Sequence, residues 1–401
     1  GARTPRRQGS EPTDTAEPVD TEPVDTAPKA SHLTITVDPL RDVFLSMKEN
    51  GERFYDEEEW VIHDPSAIVE VDGYLMVGVT GKAQSNGYNC GLETWYLAPG
   101  KTKFEPGQCL FKKKPAWIAK VVPTNDGAYW APGFGDNRTM YYTVPVGNAM
   151  ASGQGTISCI GKVTATGTAP NLVWTDHGAA ITCTLEGEAN DRDPEPESID
   201  AEVFVDDDGT TYLVYGGGHI WATRLDPVSG EQVDESNWSN EDKNYIHLAN
   251  GATVAVGGKP TEEDQWVEAP YLYKHGDHYY LFVNWYRCCA GHRSTYELHV
   301  GRSSAATGPF VDAAGQSMLE GGGTLLLHGS SGFIGPGHVG IFEYTSAVDG
   351  KTKQVLTHHY YPKSGTPWAT MAAQMLTWSK DDWPVLKGTL FDPMDYWGKK
   401  K

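Results

Sequence analysis

Three carboxylates, Asp64, Asp200 and Glu268, each stand at the entrance to an apolar, aromatic-rich run that reads as a buried strand. As pure structure this is costly, because acids brought within a few ångströms oppose one another's ionisation. As chemistry it is useful. Two carboxyls across a gap, one protonated and one ionised, can give a proton to a leaving oxygen while the other draws a proton from water or attacks a sugar carbon, which is what breaking a glycosidic bond requires. Two further runs carry Trp130 and His338 at the same place.

The elements that would gather these residues are five repeats. "HDPSAIVEVDGYLMVGVTG" begins at His63, "YWAPGFGDNRTMYYTVP" at Tyr129, "IDAEVFVDDDGTTYLVYGGG" at Ile199, "VEAPYLYKHGDHYYLFVNW" at Val267 and "GHVGIFEYTSAVDGKTKQVLTHHYY" at Gly337. Each has a residue ahead of an apolar strand, an Asp/Gly/Asn turn, and a strand rich in Tyr, Leu and Val, the pattern of a hairpin. Aligned on their second residues, Asp64, Trp130, Asp200, Glu268 and His338 stand 66, 70, 68 and 70 residues apart. Two hairpins of strand per unit, with little helical periodicity, predict an all-β, five-bladed propeller of four antiparallel strands per blade. "IWATRLDP" and "TYELHVGRS" supply third strands, and the insertion from Val146 to Glu197 makes the second unit's outer strands irregular. In a propeller the innermost strands line one channel, so the five aligned residues converge on a ring at its mouth. Asp206-Asp207-Asp208-Gly209 looks like a calcium loop, but it falls where the repeat needs a turn.

Composition narrows the partners. The chain has 401 residues, 39 % hydrophobic and 11 % aromatic, enough for a large core, and its formal charge of −21 disfavours nucleic acid and anionic membrane surfaces. No run approaches a membrane span, and the opening "GARTPRR" reads as a processed or trimmed start. Residues 1–32 are expected to be a disordered tail, since the stretch Glu11 to Pro28 repeats Glu-Pro-Val-Asp-Thr with six acids and no base; residues 33–401 are the expected propeller domain. Six cysteines lack zinc-type spacing, so disulfides are favoured: Cys90 with Cys109 and Cys159 with Cys183 first, leaving Cys288 and Cys289 as a strained bridge or two thiols. With the triplets Asn137-Arg-Thr and Asn237-Trp-Ser, they favour an extracellular protein. A closed propeller has no free sheet edge that demands a partner, so a monomer is expected.

Flat aromatic rings that could stack on sugar faces, Trp130, Phe134, Trp117 and Tyr215 among them, lie in or near the expected inner strands and loops. At this point the chain resembles glycoside hydrolase family 43, in its arabinanase branch, over roughly Val61 to Leu386. The resemblance rests on "HDPSAI", "YWAP", "SIDAEVF", "EAPYLY", "CCAGHRSTYELHVGRS", "GGGTLLL" and "GPGH", in this order and spacing. It implies an inverting hydrolase of α-1,5-linked L-arabinan, with Asp64 as general base, Glu268 as general acid, and Asp200 orienting Glu268 and raising its pKa. It also implies that His338 helps hold one channel metal ion, most simply calcium, through water, with no organic cofactor. After Trp130-Ala-Pro the family commonly has Asp, where this chain has Gly133. An exo-acting arabinofuranosidase or xylosidase on the same fold, and a silent glycan-binding propeller, are the alternatives.

Overall fold

The structure, a computed structural model, describes residues 62–82, 90–111, 113–125, 127–146, 156–185, 197–233, 245–251, 266–330, 333–362 and 369–398. The tail 1–32, residues 33–61 and the triplet at Asn237 lie outside the described residues.

Local sequence sets each hairpin. Val69–Val71 (β1) and Tyr74–Lys82 (β2) are joined by Asp72 and Gly73, both left-handed at φ 50° and 84°. A two-residue turn of this hand matches the twist of its strands, and Asp-Gly suits it. Cys90–Leu97 (β3) and Glu105–Cys109 (β4) complete the first sheet in the order β1-β2-β3-β4. The third sheet is β10 (Glu202–Val205), β11 (Thr211–Tyr215), β12 (His219–Leu225) and β13 (Ile246–Asn250). The fourth is β14 (Val267–His275), β15 (His278–Trp285), β16 (Glu297–Ser303) and β17 (Thr324–Leu327). The fifth is β18 (Phe333–Thr345), β19 (Thr352–Pro362), β20 (Thr370–Trp378) and β21 (Pro384–Leu390). The run Asp206 to Gly209 is a hairpin turn, as expected: the Asp206 N–H donates to the Thr210 carbonyl at 2.9 Å, and the Asp206 and Asp208 carboxylates accept from nearby backbone amides.

The second sheet is β5 (Trp130–Asp136), β6 (Thr139–Pro145), β7 (Thr156–Thr168) and β8 (Asn171–Asp176), with β9 (Thr182–Leu185) also on β7. The irregularity expected there has a simple form. The outer edge of β7 is covered in two pieces, β8 along Val163 to Thr168 and β9 along Thr156 to Ile160. A disulfide, Cys159–Cys183, ties β9 down. The described part of the insertion is therefore the rim of a blade.

Four four-stranded sheets and the second, with β9 added to its four, are the blades of a five-bladed β-propeller. Its core is the set of seams between neighbouring blades. Tyr129, Tyr142 and Met140 fill the seam of the first and second, and Leu213, Tyr215 and Trp221 that of the second and third. Among the described residues the first blade is N-terminal and the fifth C-terminal, and no strand is shared between them. Closure comes instead from the Ile62 N–H on the Ala369 carbonyl, 3.3 Å, and the Thr357 hydroxyl on the Ser66 carbonyl, 2.9 Å.

One backbone feature recurs in every blade and positions the site. At the head of each inner strand one residue is left-handed: Asp64 (φ 48°), Ala131 (40°), Asp200 (58°), Ala269 (52°) and His338 (61°). These five are the true equivalents, 67, 69, 69 and 69 residues apart. The alignment on Trp130 and Glu268 is thus one residue early in two blades. The left-handed turn breaks the ladder and aims that residue's N–H at the preceding blade, where a buried donor needs an acceptor. Thr80, Thr143, Asn284 and His359 supply one for Ala131, Asp200, His338 and Asp64, at 2.8–3.2 Å. The third blade has Gly216 at that place, and there the Asp200 carboxylate takes the N–H of Ala269 instead, at 3.0 Å.

Gly216 is at φ +138°, and a Cβ on it would lie 2.0 Å from the His219 carbonyl oxygen. Gly216→Ala is expected to cost about 3 kcal/mol or more through backbone strain and overlap. Urea unfolding of parent and variant measures it, and equal midpoints would contradict the reading.

Candidate active site

Asp64 is the most heavily supported carboxyl at the channel mouth. Its Oδ2 accepts from His63 Nδ1 and from the Thr80 hydroxyl, each at 2.6 Å. Thr80 can do this because its oxygen accepts the Ala131 N–H and its own proton remains to give. Oδ1 faces His338 Nδ1 at 3.4 Å and His359 Nδ1 at 3.3 Å. The second approach is no hydrogen bond: His359 Nδ1 already accepts from the Asp64 N–H, and burial holds that imidazole neutral, its pKa down to about 3. Oδ2 is thus saturated and Oδ1 is the free oxygen. Burial works to raise the pKa of Asp64, but the His63 and His338 side chains and the hydrogen bonds prevail and hold it well below the usual range.

Glu268 is built for the opposite state. Oε2 accepts from the Trp266 indole at 2.7 Å, and Oε1 lies 2.9 Å from the Tyr296 hydroxyl. Indole can only donate, so Oε1 is the oxygen able to carry a proton. Burial outweighs both donors, and with the charge of Asp64 it pushes Glu268 up to about 7. Asp200 is raised well above its ordinary value, by burial first and then by the charges of Glu268 and Asp64. Two buried acids in one field titrate as a pair. Asp200 also fixes the backbone next to Glu268 through the Ala269 N–H. A fourth acid, Glu197, pairs its backbone with Gly217; burial raises its pKa, and its charge adds to the field on Glu268 and Asp200.

The structure brings Asp64, Asp200, Glu268 and His338 together and sorts the aromatic residues. Trp130 is 40 % exposed at the head of β5 and presents its ring to solvent. Trp117, Phe134 and Tyr215, expected as sugar platforms, are instead core residues at 8, 9 and 0 % exposure. Trp117 packs behind the second blade with its indole on Asp176 at 2.9 Å; Phe134 joins the same seam and Tyr215 the next. Trp117 lies on the short helix Ala116–Val121, and the register of β5 shifts between Trp130 and Gly133, so Phe134 is buried although four residues from exposed Trp130. Gly133 has no room for any side chain, because a Cβ would lie 2.0 Å from the Ala201 carbonyl. All three disulfides form, Cys90–Cys109, Cys159–Cys183 and Cys288–Cys289.

Sequence reasoning left out Tyr296, His63, Thr80, His359 and Tyr361 as site residues, and it read Trp266 as a ring for stacking on sugar, where the structure has its indole donating to Glu268. Of those left out, His63 was within reach, standing next to Asp64. Tyr361 and His359 come from β19, nearly the whole chain away from the His63 and Asp64 they touch. A cavity of about 400 Å³ opens beside Tyr296, lined also by Tyr286, Ser294, Glu297, His328 and Ile334. His63, Asp64, Cys288 and His359 bring potential metal-ligating atoms within 4.8 Å of one another, but the Cys288 sulfur is bonded to Cys289, and His63 Nδ1 and Asp64 Oδ2 are engaged with each other.

A propeller whose channel mouth pairs a carboxyl of lowered pKa with one of raised pKa holds the groups that acid–base cleavage of a glycosidic bond needs, which is the site of a glycoside hydrolase. The family described as glycosyl hydrolases family 43 matches residues 63–384, and the chain belongs to it. It is 27 % identical over 345 residues to an extracellular endo-alpha-(1->5)-L-arabinanase of Bacillus subtilis, covering 85 % of this chain and 93 % of that one. It is also 27 % identical over 305 residues to an extracellular exo-alpha-(1->5)-L-arabinofuranosidase of Cellvibrio japonicus, covering 73 % and 82 %. Among solved structures it is similar to an exo-1,5-alpha-L-arabinanase from a bovine ruminal metagenomic library, with TM-score 0.65, 26 % identity, and 83 % and 98 % covered.

Proposed function

We propose that the chain is a secreted, inverting hydrolase of α-1,5-linked L-arabinan, with Asp64 as general base, Glu268 as general acid, and Asp200 orienting Glu268 and raising its pKa. The observation that carries this is the opposite displacement of two carboxyls in one buried mouth, Asp64 pressed down and Glu268 pushed up to about 7. Asp64 Oδ1 lies beside the His359 ring and Glu268 Oε1 beside the Tyr296 hydroxyl, and those two rings are stacked with centroids 5.6 Å apart, so the two carboxyls are held by separate neighbours. An inverting mechanism needs a water between base and sugar.

In the reaction Asp64 Oδ1 takes a proton from water as its oxygen bonds to the anomeric carbon, the glycosidic C–O bond breaks, and the Glu268 proton passes to the leaving oxygen. The configuration at that carbon inverts. Asp200 keeps the Glu268 backbone in place and shares the pair's protons.

The relatives named for α-1,5-arabinan support the substrate. Three disulfides and the relatives' extracellular description support secretion. Trp130 belongs to the second blade and the cavity beside Tyr296 to the fourth and fifth, so sugar-sized surfaces lie on opposite sides of the mouth, which favours endo cleavage of a chain laid across it. The second reading, exo cleavage, is favoured by the likeness to two proteins named for it.

His338 fits a metal ligand of one kind. Burial lowers its pKa, and the neutral imidazole is the form that binds metals. It would help to hold a calcium ion through water, the ring nitrogen turned away from Asp64 accepting from one of the ion's water ligands, and such an ion would supply positive charge to the mouth.

The test is product analysis on linear α-1,5-arabinan, beside xylan and galactan, with Asp64→Ala as control. A ladder of arabino-oligosaccharides lost in the variant is expected. One small product supports exo action, and no product from arabinan sinks the substrate reading. A finer check concerns Trp266, whose indole favours the ionised form of Glu268. Trp266→Phe removes that donor, so the pKa of the acid rises and the basic limb of the kcat/KM profile moves to higher pH. A limb unmoved or lowered contradicts the assignment.

A further inference from the structure

Asp64 owes the orientation of its free oxygen to the two donors on the other one, and the stronger question is what keeps His63 a donor. Burial works to lower the pKa of His63, but the charge and hydrogen bond of Asp64 raise it above the ordinary value; in either charge state the ring serves Asp64 only if it is held with Nδ1–H facing Oδ2. His63 Nε2 lies 2.7 Å from the Tyr361 hydroxyl, while the same hydroxyl oxygen lies 3.0 Å from the Cys289 N–H. The amide can only donate, so Tyr361 accepts from Cys289, and its contact with Nε2 holds the ring with Nδ1 2.6 Å from Asp64 Oδ2, Tyr361 donating to a neutral ring or accepting from a charged one.

The ends of this chain are fixed. Cys289 is held at φ 63°, a left-handed conformation rare outside glycine, within the Cys288–Cys289 disulfide. This places its N–H on Tyr361. The His63 ring is stacked on His359 at 4.2 Å, which limits its rotation.

We propose that Tyr361 is a positioning residue for the reaction, acting on Asp64 through His63, and that the Cys288–Cys289 loop holds it in place. It rests on the reading of Asp64 as the base. Tyr361 touches no reacting atom. Its work is to hold the imidazole with Nδ1 against Asp64, and so to keep Oδ2 occupied and Oδ1 aimed at the water.

The test is a double-mutant cycle on linear α-1,5-arabinan with parent, Tyr361→Phe, His63→Ala, the double variant, His63→Asn and Asp64→Ala. Tyr361→Phe keeps the ring and removes the hydroxyl; kcat is expected to fall about tenfold or more with KM unchanged. In the His63→Ala background the same change should cost almost nothing, because the link it acts through is gone. His63→Asn, whose amide can stand where Nδ1 stood, should recover part of what His63→Ala loses. Replacing both Cys288 and Cys289 by Ser should reproduce part of the Tyr361→Phe loss. Full kcat in Tyr361→Phe, additive losses in the cycle, or a raised KM at intact kcat would each overturn the proposal. Because Asp64→Ala runs beside them, the two readings can fail separately. A dead Asp64→Ala with a fully active Tyr361→Phe removes the relay alone, whereas an active Asp64→Ala removes the base and the relay with it.

Discussion

Glu268→Gln is expected to lower kcat on arabinan by about a thousandfold, within the range that a positioned general acid contributes. The substitution keeps the shape and most of the bonding. The amide oxygen can still accept from the Trp266 indole, and the amide nitrogen can donate to the Tyr296 hydroxyl. Only the proton for the leaving oxygen is lost, so binding should change little and kcat should carry the effect. A leaving group that departs without a proton, such as an aryl group of low pKa, should suffer a much smaller loss. The variant should also reverse a stability trend. A buried acid whose folded pKa, about 7, lies above its ordinary 4.5 keeps its proton in the folded state after the unfolded chain has lost it. Stability therefore falls as pH rises between those values, by about 3 kcal/mol in all. Glutamine does not titrate, so at pH 8 the variant should be the more stable protein. Parent-like turnover, or a variant less stable than the parent at pH 8, would refute the assignment.

The three acids were legible because each breaks the pattern around it: a charge at the head of an apolar strand, repeated at nearly constant spacing. The blades were legible for the same reason, since Asp-Gly turns and alternating strands recur at one period. The register was less so. Glu268 and Trp130 attract attention by their chemistry, yet the residue that defines the blade geometry is the alanine after each, marked only by its left-handed φ. The structural counterpart of Glu268 in the first blade is therefore His63, and nothing in side-chain type announces that. Aromatic residues misled for a different reason. A propeller stacks sheet on sheet, so Tyr, Phe and Trp fill the seams as readily as they line the mouth, and in β5 a register shift between Trp130 and Gly133 separates the two fates. Trp130 stayed out and Phe134 went in. Least visible were the partners that ring closure supplies, because His359 and Tyr361 meet Asp64 and His63 only when the last blade reaches the first.

That late meeting bears on the second large effect, the replacement of Asp64. Asp64→Ala should lose about a thousandfold or more in kcat, as expected when water has no base. It also strands two donors. His63 Nδ1 and the Thr80 hydroxyl, both 2.6 Å from Oδ2 in the parent, would face an empty space with nothing to accept from them. A small carboxylate fits that space and those donors, so added formate should restore part of the rate, saturably, by occupying the place of the missing side chain. The product distinguishes the possible roles. If Asp64 is a base, the sugar released early by the parent, followed by NMR, is of inverted configuration, and so is the sugar released under formate rescue. If Asp64 were instead a nucleophile, the parent would retain configuration while a formate-rescued variant attacked directly by water would invert. Retention in the parent would therefore end the inverting reading even if Asp64→Ala proved inactive, and it would leave the identity of Asp64 as an essential carboxylate intact.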